Sequence, residues 1–188
     1  KSIMKQLLTT LFIFLSVTTG KAQKPDPWIT YMMPDEIHKM LEDYSGSFDL
    51  EISMWMGEGE KPAVVQISTM NKMILGGRFL EITQTGNMMG TDYYSIVTIG
   101  FNTITKLFDQ TTLTNMGTGT LYLTGSWDPQ NKTATLNGQI TNPVDNKLIK
   151  VRQQISFIDK DNLLIESYDT YEGEKEKKTI QSKFVRKR

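Results

Sequence analysis

Apolar and polar positions alternate along most of the chain. Phe48, Leu50, Ile52, Met54 and Met56 are interleaved with Asp49, Glu51, Ser53 and Trp55, and Ile149, Val151, Ile155 and Phe157 lie between Lys150, Arg152 and Gln154. A period of two belongs to a strand with one face in a core and the other in water. Ten such stretches are read: approximately Phe48 to Met56, Ala63 to Ile74, Arg78 to Thr85, Asp92 to Phe101, Lys106 to Leu113, Thr118 to Trp127, Lys132 to Ile140, Lys147 to Ile158, Leu163 to Tyr171, and Lys177 to Val185. The segments between them are rich in turn formers, among them Gly76-Gly77, Asn115-Met116-Gly117, Asp128-Pro129, Asn142-Pro143 and Glu172-Gly173. Connections this short join only antiparallel neighbours. A meander of this length accumulates twist and leaves two edges unpaired, so the expected fold is a closed antiparallel up-and-down β-barrel of about ten strands. A barrel of that size commonly encloses a ligand cavity.

One segment has a different period. Ile37, Met40, Leu41 and Tyr44 fall at i, i+3, i+4 and i+7 after Pro34, with acidic residues in the first turn. This predicts one short amphipathic helix from Asp35 to Tyr44, ended by Ser45-Gly46 and capping one end of the barrel. Gln23 to Pro34 holds three prolines and reads as an extended arm, because proline has no backbone N–H for regular pairing. Ahead of it stand Lys1 and Lys5, the apolar run Leu7 to Val17, and the small-residue stretch Thr18 to Ala22. Those are the three parts of a secretory signal peptide over residues 1–22, followed by one domain over 35–188. The apolar run, about 11 residues, falls short of the roughly 20 that span a bilayer as a helix. No Cys is present to carry a lipid anchor at the cleavage site, so the mature protein is expected to be secreted or periplasmic.

The whole chain of 188 residues has 21 basic and 21 acidic side chains. Loss of Lys1, Lys5 and Lys21 with the leader leaves 18 basic against 21 acidic, about −3, with a basic excess confined to Glu172 to Arg188. That balance argues against nucleic-acid binding. Absence of Cys removes disulfides, thiolate nucleophiles and cysteinyl metal sites, and a single His, His38, rules out multi-histidine centres. No cofactor is expected. No nucleophile elbow, phosphate loop or dinucleotide fingerprint is present, and Asp49 with Glu51 or Asp159 with Asp161 reads as solvent face and turn.

Gly46-Ser47-Phe48 after the short helix resembles the lipocalin and calycin pattern, with Phe48 standing where that pattern has tryptophan. A fuller resemblance is to an uncharacterised family of bacterial secreted proteins, a lipocalin-like domain of unknown function. It is carried by Met54-Trp55-Met56, Ile74-Leu75-Gly76-Gly77-Arg78-Phe79-Leu80, Met88-Met89-Gly90 and Gly100-Phe101-Asn102. The resemblance implies a fold and no activity. Haem barrels of the nitrobindin type, which the architecture also resembles, take their iron ligand from a late strand, where this chain has no histidine.

Candidate cavity residues follow from the alternation. Met54 and Met56 share a strand face; they read as an adaptable apolar lining, with thioether coordination of copper(I) as the alternative. Arg78, Asp109, Arg152 and Tyr168 are candidate polar groups. If Asp109, Arg152 and Tyr168 face the lumen they bind the polar head of a ligand, and otherwise they form structural ion pairs or lie on the outer register. The leading reading is a non-enzymatic barrel binding a small, mostly apolar ligand, beside an envelope interaction module using Trp28 and Tyr31, and a hydrolase of unidentified substrate. N-terminal sequencing of the exported protein is expected to begin at Gln23; a form starting at Lys1 contradicts the leader.

Overall fold

The computed structural model describes residues 26–57 and 59–188. The expected signal peptide lies outside the described residues. Ten antiparallel strands close into a barrel: β1 (Gly46–Met54), β2 (Ala63–Ile74), β3 (Phe79–Met88), β4 (Thr91–Phe101), β5 (Leu107–Thr114), β6 (Leu121–Asp128), β7 (Thr133–Thr141), β8 (Leu148–Asp159), β9 (Asn162–Thr170) and β10 (Lys177–Arg186). Each strand pairs with its neighbours in sequence, and β1 pairs with both β2 and β10. The expected up-and-down barrel is therefore observed.

Two helices precede the barrel, α1 (Pro27–Met32) and α2 (Glu36–Glu42). The arm expected to be extended thus contains a helical turn and a half. Asp26 caps it by accepting the Trp28 N–H at 2.8 Å, with Pro27 at the first helical position, where its fixed φ is suitable and its missing N–H costs nothing. Helix α2 begins with a reciprocal cap. The Asp35 carboxylate accepts from the Ile37 N–H (3.0 Å) while the Asp35 N–H donates to His38 Nδ1 (3.0 Å). His38 is 5% exposed and its ring meets Phe101 edge-on at 6.3 Å. Its chemistry is committed to starting α2.

Below α2 the barrel is filled. Phe48, Phe108, Leu80, Ile99, Ala134 and Leu136 have no exposed surface. Phe108 stacks at 5.1 Å from Phe101, 5.4 Å from Trp127 and 6.0 Å from Phe157, and Tyr44 reaches Phe157 from the end of α2 at 5.3 Å. Burial, with Asp159 and Asp43 nearby, pushes the Tyr44 phenol up to about 12. Glycine lets the wall close in around this plug: a Cβ on Gly125, opposite Phe108, would sit 1.9 Å from the Thr135 carbonyl oxygen.

Arg186 locks the seam. Opposite Phe48 in the β1–β10 register, its guanidinium lies 4.5 Å over the Phe48 ring. It donates to the Ser45 carbonyl at 2.6 Å, to the carbonyls of Asp43 and Lys160, and to the Asp161 carboxylate at 2.9 Å. One side chain thus joins the last strand, the end of α2 and the β8–β9 turn. Phe108→Ala is expected to lower unfolding free energy by about 3–5 kcal/mol, through lost transfer energy and a cavity. Arg186→Met, which keeps the apolar stem and strands the carbonyls, is expected to cost about 1–3 kcal/mol; urea unfolding of both variants measures this.

Candidate functional site

Strand register sorts the expected site residues between the lumen and the outer wall. Met54 points inward and is half-buried, packed against the core. Met56 lies beyond the end of β1 at the mouth opposite α2 and is 75% exposed. The pair therefore does not share a buried thioether site. Asp109 stands on the outer face, because its neighbours Phe108 and Gln110 are the buried, inward residues of β5. It accepts the Tyr122 hydroxyl at 2.6 Å, which raises the Tyr122 phenol. Arg152 and Tyr168 are likewise outside. Between the inward pair Val151 and Gln153, Arg152 turns away to grip Glu176 through two bonds of 2.8 and 2.7 Å, with its guanidinium 4.0 Å from the Tyr168 ring. The expected convergence of Asp109, Arg152 and Tyr168 in the lumen is corrected: they occupy the outer register.

Arg78 and Asp109 do come together, in a cleft on the outer wall of about 280 Å³ lined also by Tyr31, Met32, Phe79 and Phe101. Arg78 is consumed there as a tether. It donates to the carbonyls of Leu75 (3.1 Å), Gly76 (3.3 Å) and Met32, while Thr103 Oγ1 donates to the Thr30 carbonyl at 3.1 Å. These bonds hold α1 against the barrel. They leave the cleft without an uncommitted guanidinium.

The lumen contains a different constellation. Gln110 Nε2 on β5 donates to Gln153 Oε1 on β8 at 2.7 Å and to Thr112 Oγ1 at 3.3 Å, and Gln153 Nε2 donates to Ser167 Oγ on β9 at 2.9 Å. The Gln110 to Gln153 bond links strands separated by two others, so it forms a polar deck within the barrel. Gln110 is 3% exposed and its Oε1 has no donor. Nearby, the Tyr93 hydroxyl donates to Gln84 Oε1 at 3.2 Å and Ser95 Oγ to the Leu113 carbonyl at 2.9 Å. On the α2 side of the deck most inward residues are buried, with Met73 and Trp127 half-buried. On the mouth side Met54, Val65, Leu121 and Ile140, all inward in the register, are half-buried, and Ile180 is 38% exposed. Solvent therefore enters the barrel as far as Gln153, itself half-buried.

Asp169 is a charged group of this upper lumen, with Lys177 opposite it in the β9–β10 register. It pairs with Val151, whose side chain is inward and 5% exposed, and lies two residues beyond Ser167 on the same face. Burial raises its carboxyl above the ordinary range against the opposing effect of a Thr179 hydrogen bond. Sequence reasoning missed Gln110, Gln153, Ser167 and Asp169, because polar residues on an alternating strand read as its wet face.

A family model described as "Protein of unknown function (DUF1579)" matches residues 33–186. No curated protein matches the chain. Among solved structures, a redesigned beta barrel covers 79% of this chain and 96% of its own at 9% identity and TM-score 0.44. A structure described as EF1p2_mFAP2b bound to DFHBI covers 80% and 98% at 8% identity and TM-score 0.43. Among the described residues no helix is long and apolar enough to cross a membrane, and no group of three or more His, Asp or Glu is placed to hold a metal ion.

A carboxyl whose folded pKa is raised favours the folded state below its unfolded pKa and loses that contribution as pH rises through the folded pKa. Asp169→Asn is therefore expected to raise the melting temperature at pH 7, by about 2–4 °C for each 1 kcal/mol of relief, with no gain near pH 3. Thermal melts at the two pH values measure the difference.

Proposed function

The chain belongs to the family described as proteins of unknown function (DUF1579), and we propose that it is a non-enzymatic binding barrel admitting a small, mostly apolar molecule through the mouth opposite α2. One observation carries this reading: on the α2 side of the Gln110–Gln153–Ser167 deck most inward residues are buried around a cluster of aromatic rings, whereas on its other side Met54, Val65, Leu121 and Ile140 are half-buried. A barrel whose only task was stability would gain by continuing the apolar plug, since each buried methylene adds about 0.8 kcal/mol. Met54, Leu121, Ile140 and Ile180 instead form an accessible apolar sleeve above a floor of amides and a hydroxyl. Apolar walls with a few fixed polar groups are the usual composition of a small-molecule site. The sleeve holds the body of the ligand and the deck orients its polar end. In this reading the barrel works in the periplasm or outside the cell, after removal of residues 1–22.

A second reading rests on α1. No residue of that helix is buried, and Trp28, Ile29, Tyr31, Met32 and Met33 are each at least half exposed. An apolar surface of this kind suits a contact with another envelope component. Replacement of Trp28 and Tyr31 by Ser then removes partners in a pull-down without affecting small-molecule binding.

The uncharged fluorophore N-phenylnaphthylamine tests the lumen. Its fluorescence is expected to rise on titration into the protein, and Ile180→Trp, which narrows the mouth, is expected to weaken binding at least about tenfold, or about 1.4 kcal/mol. Tyr31→Ala in the outer cleft leaves the titration unchanged. Loss through Tyr31→Ala with no effect of Ile180→Trp overturns the lumen assignment.

A further inference from the structure

Helix α2 covers only part of the barrel end that it caps. It packs against β2, β3 and β4, and between its other side and the β6–β7 and β8–β9 turns lies a cavity of about 300 Å³. Ile37 and Met40 of α2 form one wall, both half-buried. Three aromatic rings form the other: Phe157 in the middle, met edge-on by Tyr44 at 5.3 Å and by Trp127 at 5.7 Å. An apolar cavity of roughly 150 Å³ holds a benzene ring. This one has room for an aromatic ring with a substituent.

The polar groups of this lining define what the substituent must be. Tyr44 is 3% exposed, and its backbone carbonyl accepts from Asn71 Nδ2 at 3.1 Å, but its hydroxyl makes no hydrogen bond with any described residue. Trp127 Nε1–H is likewise without an acceptor among the described residues, and an indole can only donate. The charged side chains are Asp43 and Asp159 against Lys132 and Lys160, which sum to zero. Asp159 is occupied by its own turn, accepting from the Asp161 N–H at 2.8 Å and from Asn162 Nδ2 at 2.9 and 3.0 Å. Arg186, adjoining the site, is paired with Asp161 at 2.9 Å. Burial, with Asp159 and Asp43, pushes the Tyr44 phenol up to about 12, so at neutral pH the hydroxyl keeps its proton and donates. The same two carboxylates oppose an anion at that hydroxyl, and the two lysines oppose a cation. An uncharged acceptor on an aromatic ring meets neither objection.

We propose that the gap beside α2 is a second small-molecule site, taking an uncharged planar aromatic that carries a carbonyl-type acceptor, with the ring held among Tyr44, Trp127 and Phe157 and the acceptor bonded by the Tyr44 hydroxyl. The Phe108 plug and the Gln110–Gln153 deck separate it from the mouth, so it stands independently of the binding proposed there. Aromatic rings favour the edge-on and offset contacts that these walls offer. A donor committed to the ligand also discriminates, because an analogue without the acceptor leaves that donor unpaired. The aromatic walls set affinity for the ring and Tyr44 sets the preference among substituents.

Three probes with one ring each test this on the intact protein at pH 7: acetophenone, ethylbenzene and benzoate, titrated while the indole N–H resonance of Trp127 is followed by NMR and identified by its loss in Trp127→Phe. Acetophenone is expected to move that resonance and to bind about tenfold more tightly than ethylbenzene, with benzoate weaker than acetophenone. Tyr44→Phe keeps the ring and removes a hydroxyl without a partner, so it is expected to melt with the native protein, to abolish the preference for acetophenone and to leave ethylbenzene binding intact. Met40→Trp, which fills the gap from α2, is expected to weaken both, while Ile180→Trp at the mouth changes neither. Equal binding of acetophenone and ethylbenzene, a preference that survives Tyr44→Phe, or tighter binding of benzoate overturns the assignment of the ligand class. Binding lost through Ile180→Trp and kept in Met40→Trp, or no shift with any probe, overturns the site.

Discussion

Everything in this barrel depends on the pairing of its first strand with its last. A sheet of ten strands left open would present two rows of unpaired N–H and C=O groups, and closure of β1 on β10 removes both. Once the register of that seam is set at Phe48 opposite Arg186, the inward face of β1 is fixed, and through the ladder so is that of every other strand. A slip of one residue at this seam would turn the inward set of one strand, Leu50 on β1 or Phe184 on β10, to solvent. Arg186 stabilises the correct register directly, since only there does its guanidinium lie over Phe48 and reach the carbonyls at the end of α2.

The interior then divides its work by height. Near α2 a cluster of aromatic rings and the branched chains around them fill the barrel, and glycines at Gly125 and Gly138 let the wall approach them. Farther up the packing gives way to amides and hydroxyls bonded to one another across the lumen. Polar networks are costly when incompletely satisfied, and this one is incomplete at Gln110 Oε1. Stability is concentrated in one half of the cylinder. The other half retains accessible apolar surface above the amide deck.

Most of the architecture was legible in the sequence. The ten strands follow from alternation, and their ends differ from the expected ones by at most a few residues because Gly, Asn, Asp and Pro mark the turns. The family was legible too, as a domain of unknown function. What escaped were places where a local signal had two meanings. Pro27 reads as a breaker unless Asp26 is recognised as an N-cap, and so α1 reads as extended chain in the sequence. On β5 the large apolar residues Leu107 and Leu113 lie on the outer face, 37% and 47% exposed, which carried Asp109 to the wrong side in the reading while Phe108 and Gln110 point inward. The deck was invisible for a related reason: a glutamine in an alternating strand signals solvent unless its partner 43 residues away is known.

The seam also places a condition on time. Residues 46–54 must wait for residues 177–186 before either gains its second neighbour, so the contact that completes the cylinder spans nearly the whole domain. Such a long loop makes closure late and entropically slow. During synthesis the growing meander is a curled ribbon with a bare leading edge, and the aromatic plug lacks Phe184 and the Arg186 latch until the final turn of chain arrives. The protein is therefore unfinished, and most adhesive, during the interval in which a chaperone would encounter it.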